Sequence, residues 1–143
     1  MKITKLKEQD LLPLGELFKQ FRGEDSSLEK MRASFPRLSE NPAYILLAAK
    51  KGESLVGFPM GVACEELYGD CRPFMVIEDL VVDENHRRSG TGSALMLELE
   101  KIARAKGCCQ ILFVTEADRT EAQQFYQSLG YPFEPYKGFK KRL

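Results

Sequence analysis

The sequence predicts an α/β (α+β) fold in one domain over residues 1–143: a mixed, mostly antiparallel sheet with helices on both faces. Three observations predict it. A tight turn joins two apolar strands in the middle of the chain, a strand–helix–strand–helix series follows them, and the helical stretches are apolar along one side only.

The elements follow in chain order. Met1 to Lys7 alternates weakly and reads as an opening strand. Gln9 to Arg22 carries Leu11, Leu14, Leu17, Phe18 and Phe21 at helical spacing, with Pro13 in the first turn, where its missing N–H costs little. A second helix is expected from Ser26, because Ser26-x-x-Glu29 has the form of a capping box; Asn41-Pro42 ends it. Tyr44 to Lys50 and Leu55 to Glu66 read as a hairpin around Lys51-Gly52-Glu53. Phe74 to Asp83 is a third, nearly apolar strand interrupted by Glu78 and Asp79. Gly92 to Lys106 is a helix stopped by Gly107, and Gln110 to Thr115 is a strand. Asp118-x-x-Glu121 is expected to cap a last helix through Leu129, ended by Gly130, after which two short strands close the chain.

Composition narrows the function classes. Lys+Arg and Asp+Glu balance at 21 each, so no global field favours nucleic acid or an anionic membrane. The cations Lys137, Lys140, Lys141 and Arg142 form a short cluster that reads as a solvated final strand. Cys64, Cys71, Cys108 and Cys109 contain no C-x-x-C pair, and with His86 as the one histidine they make no usual zinc site. The first residues lack a signal peptide's basic and apolar regions, and no stretch approaches the length of a membrane-spanning helix. A reducing cytoplasm is the expected location.

The chemistry-bearing segment runs from Val81 through Asp83 and His86-Arg87-Arg88-Ser89-Gly90-Thr91-Gly92-Ser93. A buried strand ends there, and a helix opens with glycines in its first turn. Free backbone N–H groups and the helix dipole make such a turn an anion site, and small residues let a diphosphate come close. A P-loop would need Gly-Lys-Ser/Thr, which is absent, and a dinucleotide fingerprint would need glycine where Leu95 stands.

Arg87-x-x-Gly90-x-Gly92 after an apolar strand resembles the R/Q-x-x-G-x-G/A signature of the GNAT family of N-acetyltransferases. Downstream, Ala122-x-x-Phe125-Tyr126-x-x-Leu129-Gly130-Tyr131 is similar to that family's second signature, with one helix and one strand between the two. The resemblance is good from Tyr44 to Leu143 and extends to the first forty residues by element order alone. It implies a GNAT-like domain whose sheet is splayed at its middle. It also implies acetyl-CoA as co-substrate, no metal, and direct attack of an amine on the thioester without an acetyl-enzyme. The diphosphate would sit on the backbone of Arg87, Arg88, Ser89, Gly90, Thr91, Gly92 and Ser93, and the pantetheine arm would add like a strand along Leu80, Val81 and Val82. Two departures stand out. Arg88 occupies the place of a usual glycine, and Arg119 occupies that of an asparagine which contacts CoA in many relatives, so Arg119 could form a salt bridge or touch substrate.

The reaction sets a physical demand. An alkyl amine with pKa near 10.4 is neutral in about one molecule in 2,500 at pH 7, a cost of roughly 4.6 kcal/mol that a positioned carboxylate lowers by taking the proton during attack. Glu78 and Asp79 are the candidates. Their side chains alternate across the strand, so only one faces an acceptor unless a bulge intervenes. Ile77-Glu78-Asp79-Leu80-Val81-Val82 resembles the corresponding strand of diamine and glucosamine-phosphate acetyltransferases, and in the diamine enzymes the matching glutamate is regarded as the base. That favours Glu78, with pairing to an arginine as the competing role for either carboxylate. Tyr126 matches the family tyrosine that hydrogen-bonds or protonates the departing sulfur; its competing reading is a core tyrosine.

The expected acceptor is a small-molecule amine, with neither nucleic acid nor membrane as partner. Glu65, Glu66 and Asp70 with the strand carboxylates lean toward a polycation. A homodimer by exchange of Tyr136 to Leu143 is a further expectation. Two alternatives stay open: acetylation of a protein N-terminus or lysine, and a non-catalytic acyl-CoA-binding module.

Overall fold

The computed structural model describes residues 1–132 and 136–143, which form two compact units, Met1–Leu112 and Phe113–Leu143. The first holds a five-stranded mixed sheet in the order β1 (Lys2–Lys5), β2 (Tyr44–Lys51), β3 (Ser54–Cys64), β4 (Phe74–Val82), β5 (Ile111–Leu112). Neighbours are antiparallel except β4 and β5, which are parallel and joined through a helix. The α/β expectation is borne out.

Helix α1 (Leu11–Arg22) follows a single 3₁₀ turn and buries Leu11, Leu14 and Leu17. With α2 (Leu28–Glu40) it covers the face carrying Leu46, Ala48, Leu55, Phe58 and Val81, where the Phe18 and Phe58 rings meet edge to face at 5.9 Å. Asp10, in the 3₁₀ turn, is buried; it accepts a hydrogen bond from the Lys7 N–H at 2.9 Å and pairs with Lys50 at 2.6 Å, tying the turn to β2. Helix α3 (Thr91–Ala105) covers the opposite face with Leu95, Met96 and Leu99, all 0% exposed.

Two β3 positions admit α3 because they lack side chains. A Cβ on Gly57 would meet Leu95 Cδ1 at 2.9 Å, Thr91 Cγ2 at 3.1 Å and the Val81 carbonyl at 3.3 Å; one on Gly61 would meet Leu99 at 3.1 Å and Met75 at 3.2 Å. Gly57→Ala should therefore destabilise the protein by about 1–3 kcal/mol, through overpacking against Leu95 and Thr91. Urea unfolding measures this directly, and an unchanged midpoint would show that the helix yields freely.

Several boundaries differ from the sequence expectation. The α2 N-cap is Ser27, whose hydroxyl accepts from the Lys30 N–H at 3.3 Å, so the Ser26/Glu29 box does not form. β3 stops at Cys64, because the Glu66 carboxylate turns the chain by accepting from the Leu67 and Tyr68 N–H groups at 2.7 and 3.2 Å. β5 keeps only two residues, those that pair with Met75 and Val76. Gly107 does stop α3: its φ is +76°, and the Cys108 N–H reaches the Ala103 carbonyl at 3.0 Å.

In the second unit, α4 (Thr120–Ser128) starts after Arg119 with no side-chain cap; the Asp118 backbone carbonyl, rather than its carboxylate, accepts from Thr120. Gly130, at φ +85°, closes the helix as expected. Residues 136–143 form no strand, and the expected closing strands otherwise fall on 133–135, outside the described residues. The exchange of a final strand between two copies therefore has no strand to rest on among the described residues. Among the described residues no helix is long and apolar enough to cross a membrane.

Candidate functional site

The site in the first unit begins with a proline. Pro59 lies within β3, fully buried, and has no N–H to give to the ladder. Opposite it the register slips. Phe58 pairs with Val81 and Met60 with Glu78, so Asp79 and Leu80 together face the single Pro59. Asp79 sits at φ +55°, in the left-handed region that disfavours residues with a Cβ. This is a β-bulge, the condition under which strict alternation fails.

Its consequences are local and specific. Register places Glu78 beside Met60, on the α1–α2 face, and Glu78 is exposed. Its carboxylate makes no hydrogen bond or ion pair with any described residue. The Asp79 carboxylate accepts from Arg22, the last residue of α1, at 2.6 Å. Of the two carboxylates, Asp79 has the arginine partner and Glu78 is the exposed one. The other acids part from them. Glu65, Glu66 and Asp70 lie beyond the Cys64–Phe74 pair, four positions along β4 from Glu78, which is about 13 Å of strand. The lean toward a polycation loses that support.

β4 pairs with β5 only through Met75 and Val76. From Ile77 to Val82 its far edge has no strand partner among the described residues; Leu80 and Val82 lie on that edge, and the Val82 carbonyl accepts from Arg87 Nε at 3.3 Å. Val81 differs from the expectation: its main chain pairs with Phe58 of β3, its carbonyl lies toward Gly57, and its side chain is in the core, so it gives nothing to the far edge.

That open edge runs straight into the glycine loop. The Asp83 carboxylate accepts from the Asn85 N–H at 3.1 Å and lies 2.8 Å from His86 Nδ1. Gln20 of α1 braces the same turn: its amide donates to Asp83 at 3.0 Å and its carbonyl accepts from the Glu84 N–H at 3.1 Å. Hydrogen bonds from Gln20 first, and then from His86, hold the Asp83 carboxyl below its usual value. The loop then rises through Arg87 and Arg88, both exposed, to Ser89, whose hydroxyl donates to the His86 carbonyl and lies 3.1 Å from the Thr91 hydroxyl. Arg88 takes φ +56°, which accounts for glycine being the usual residue at its place in the signature.

Gly90, at φ +82°, is the α3 N-cap and brings no side chain to the helix end. The Ala94 N–H is the first to bond within the helix, to Gly90 O at 2.9 Å. The N–H groups of Thr91, Gly92 and Ser93 precede it and have no intrahelical acceptor. Thr91 is buried against Gly57 and fixes the helix end on the sheet. Such a terminus attracts an anion through both its donors and its dipole.

In the second unit, Tyr126 packs against Phe113 (4.4 Å between ring centres), Phe125 (5.1 Å) and Tyr131 (6.5 Å). Burial raises its pKa above the ordinary phenol value, with the Arg119 cation pulling the other way. Its hydroxyl therefore remains a proton-bearing donor through neutral and mildly alkaline pH. Arg119 and Tyr126 are thus brought near each other, while Glu78, Asp79 and the loop belong to the first unit.

Arg22 and Gln20 were not legible as site residues. Pro59 was missed as well, though it carried a signal: a proline inside an apolar, centrally placed strand points to a bulge in the strand beside it.

The Acetyltransferase (GNAT) family model matches residues 11–131. A glucosamine 6-phosphate N-acetyltransferase of Trypanosoma brucei brucei is 41% identical over 56 residues, which are 38% of this chain and 35% of that protein. The chain thus matches about a third of that curated relative's length. Among solved structures, the glucosamine-6-phosphate N-acetyltransferase of Arabidopsis thaliana superposes with a TM-score of 0.85 at 20% identity, over 98% of this chain and 97% of that one. An aminoglycoside acetyltransferase from an uncultured soil metagenomic sample, in complex with trehalose, gives 0.82 at 24%, over 99% and 95%. At these identities the structural likeness is one of fold.

Proposed function

This chain belongs to the acetyltransferase (GNAT) family, and we propose that it transfers the acetyl group of acetyl-CoA to a primary amine of a small molecule, with residues 1–143 acting as one catalytic domain. One observation carries the reading: the unpaired edge of β4 leads, through one 3₁₀ turn (Glu84–His86) and a short loop, to the N-terminus of α3. An extended amide-bearing arm suits the edge, and a diphosphate suits the terminus.

Each residue then has a task. Leu80 and Val82, on the unpaired edge, offer main-chain groups to the pantetheine amides, with Val81 between them holding the strand to β3. The backbone from Arg87 to Ser93 receives the diphosphate, and the two arginines add charge. Glu78 takes the proton from the amine as nitrogen attacks the thioester carbon. The C–N bond forms, the C–S bond breaks, and the sulfur leaves as a thiolate. Tyr126 is assigned the O–H that hydrogen-bonds or protonates that sulfur, on the strength of the motif it matches and its protonated state. Asp79 remains the neighbouring carboxylate, engaged with Arg22, and Arg119 a candidate contact to substrate. The amine-acetylating activities named for the similar proteins support a small amino compound as acceptor. Four free thiols suit a reducing cytoplasm.

Direct attack makes a kinetic prediction. Initial rates with both substrates varied should give intersecting double-reciprocal lines, whereas parallel lines would mean a covalent acetyl-enzyme and overturn the assignment. Tyr126→Phe keeps the ring packing and removes only the hydroxyl, so it should lower kcat about 10- to 100-fold with little change in melting temperature. Full activity in that variant would return Tyr126 to a core role.

A further inference from the structure

We infer that Arg22 is a positioning residue for the acceptor side of the site: its ion pair with Asp79 holds the β4 bulge in the conformation that presents Glu78. The inference rests on Glu78 acting in the proposed transfer, and its geometry stands apart from that reading. Pro59 removes a ladder hydrogen bond, which permits a bulge but does not fix its shape. Asp79 adopts φ +55°, a conformation that costs a residue with a Cβ, although aspartate bears it better than most. The compensation visible in the fold is the 2.6 Å contact with Arg22, made across 57 residues of sequence.

The location of Arg22 adds to this. It is the last residue of α1, directly before Gly23 turns the chain at φ +75°, and α1 is anchored in the core through Leu11, Leu14 and Leu17. Two residues earlier, Gln20 grips Asp83 and Glu84. One helical turn thus holds both the bulge that carries the carboxylates and the loop that opens α3. Arg22 thus engages Asp79 and leaves the Glu78 carboxylate as the one on this bulge without an ion-pair partner among the described residues.

The test uses four full-length proteins besides the wild type: Arg22→Ala, Arg22→Lys, Asp79→Gly and the double variant Arg22→Ala/Asp79→Gly. Glycine tolerates the left-handed conformation, so it removes the need for a latch. Amide hydrogen exchange of the segment 74–86 should quicken about three- to fivefold in Arg22→Ala, less in Arg22→Lys, and the double variant should match Asp79→Gly alone. In parallel, Arg22→Ala should lower kcat about tenfold while KM for acetyl-CoA stays unchanged. Wild-type exchange in Arg22→Ala, or losses that add in the double variant, would overturn the latch. A wild-type protein with no acetyl transfer would instead sink the proposed function, and the exchange data would still decide the role of Arg22.

Discussion

Glu78→Gln is expected to lower kcat for acetyl transfer about 100- to 1,000-fold at pH 7, while the protein folds and binds acetyl-CoA as before. The substitution conserves volume at an exposed position, so stability is not at issue. What is lost is the proton acceptor, and the deficit should shrink as pH rises. Above neutrality the free-amine fraction grows about tenfold per pH unit until it approaches the amine pKa near 10.4, so solvent increasingly does what Glu78 did. A pH–rate profile of wild type and variant reads this directly. Asp79→Asn should cost less, because the Asp79 carboxylate is already engaged with Arg22 at 2.6 Å. If Asp79→Asn abolished turnover and Glu78→Gln kept it, the two assignments would be reversed.

Gly92→Asp should weaken acetyl-CoA binding by about 100-fold or more without loss of stability. The position lies in the first turn of α3, among N–H groups with no intrahelical acceptor. A carboxylate there is favourable for the helix, since it meets the positive end of the dipole, by about 0.3–1 kcal/mol. It is unfavourable for a diphosphate, which it repels and whose donors it occupies. Opposite signs for folding and binding make the prediction specific. Calorimetric titration with CoA and a thermal melt of the same sample give both numbers. Unchanged affinity would place the diphosphate elsewhere.

Much of this was legible in the sequence, because local rules act where elements are strongly patterned. Leu11, Leu14 and Leu17 announced α1, and all three are buried. The glycines at 90 and 92 announced a side-chain-free helix start, and the N-cap is indeed Gly90 in a left-handed conformation. The failures have physical causes. Ser26 and Ser27 are adjacent hydroxyls equally able to cap, and the choice rests on which one lines up with the third N–H of the helix. β5 is short because β4 offers it only Met75 and Val76 as partners, a limit set by the sheet and invisible within Gln110 to Thr115. The pairing of Arg22 with Asp79 joins residues from α1 and β4, and no pattern in either segment announces it. The bulge at Glu78 and Asp79 stood in the sequence analysis only as a condition, and the residue that could have announced it, Pro59 on the neighbouring strand, was passed over.

The most direct test of the account is a thiol-release assay with acetyl-CoA against polyamines, amino sugars, amino-sugar phosphates and aminoglycosides, run beside calorimetry for CoA. The account predicts CoA binding and turnover on at least one of these amine classes, with a rate that falls in Glu78→Gln. Tight CoA binding with no turnover on any small amine would contradict the proposed acceptor class, and absence of CoA binding would contradict the site itself.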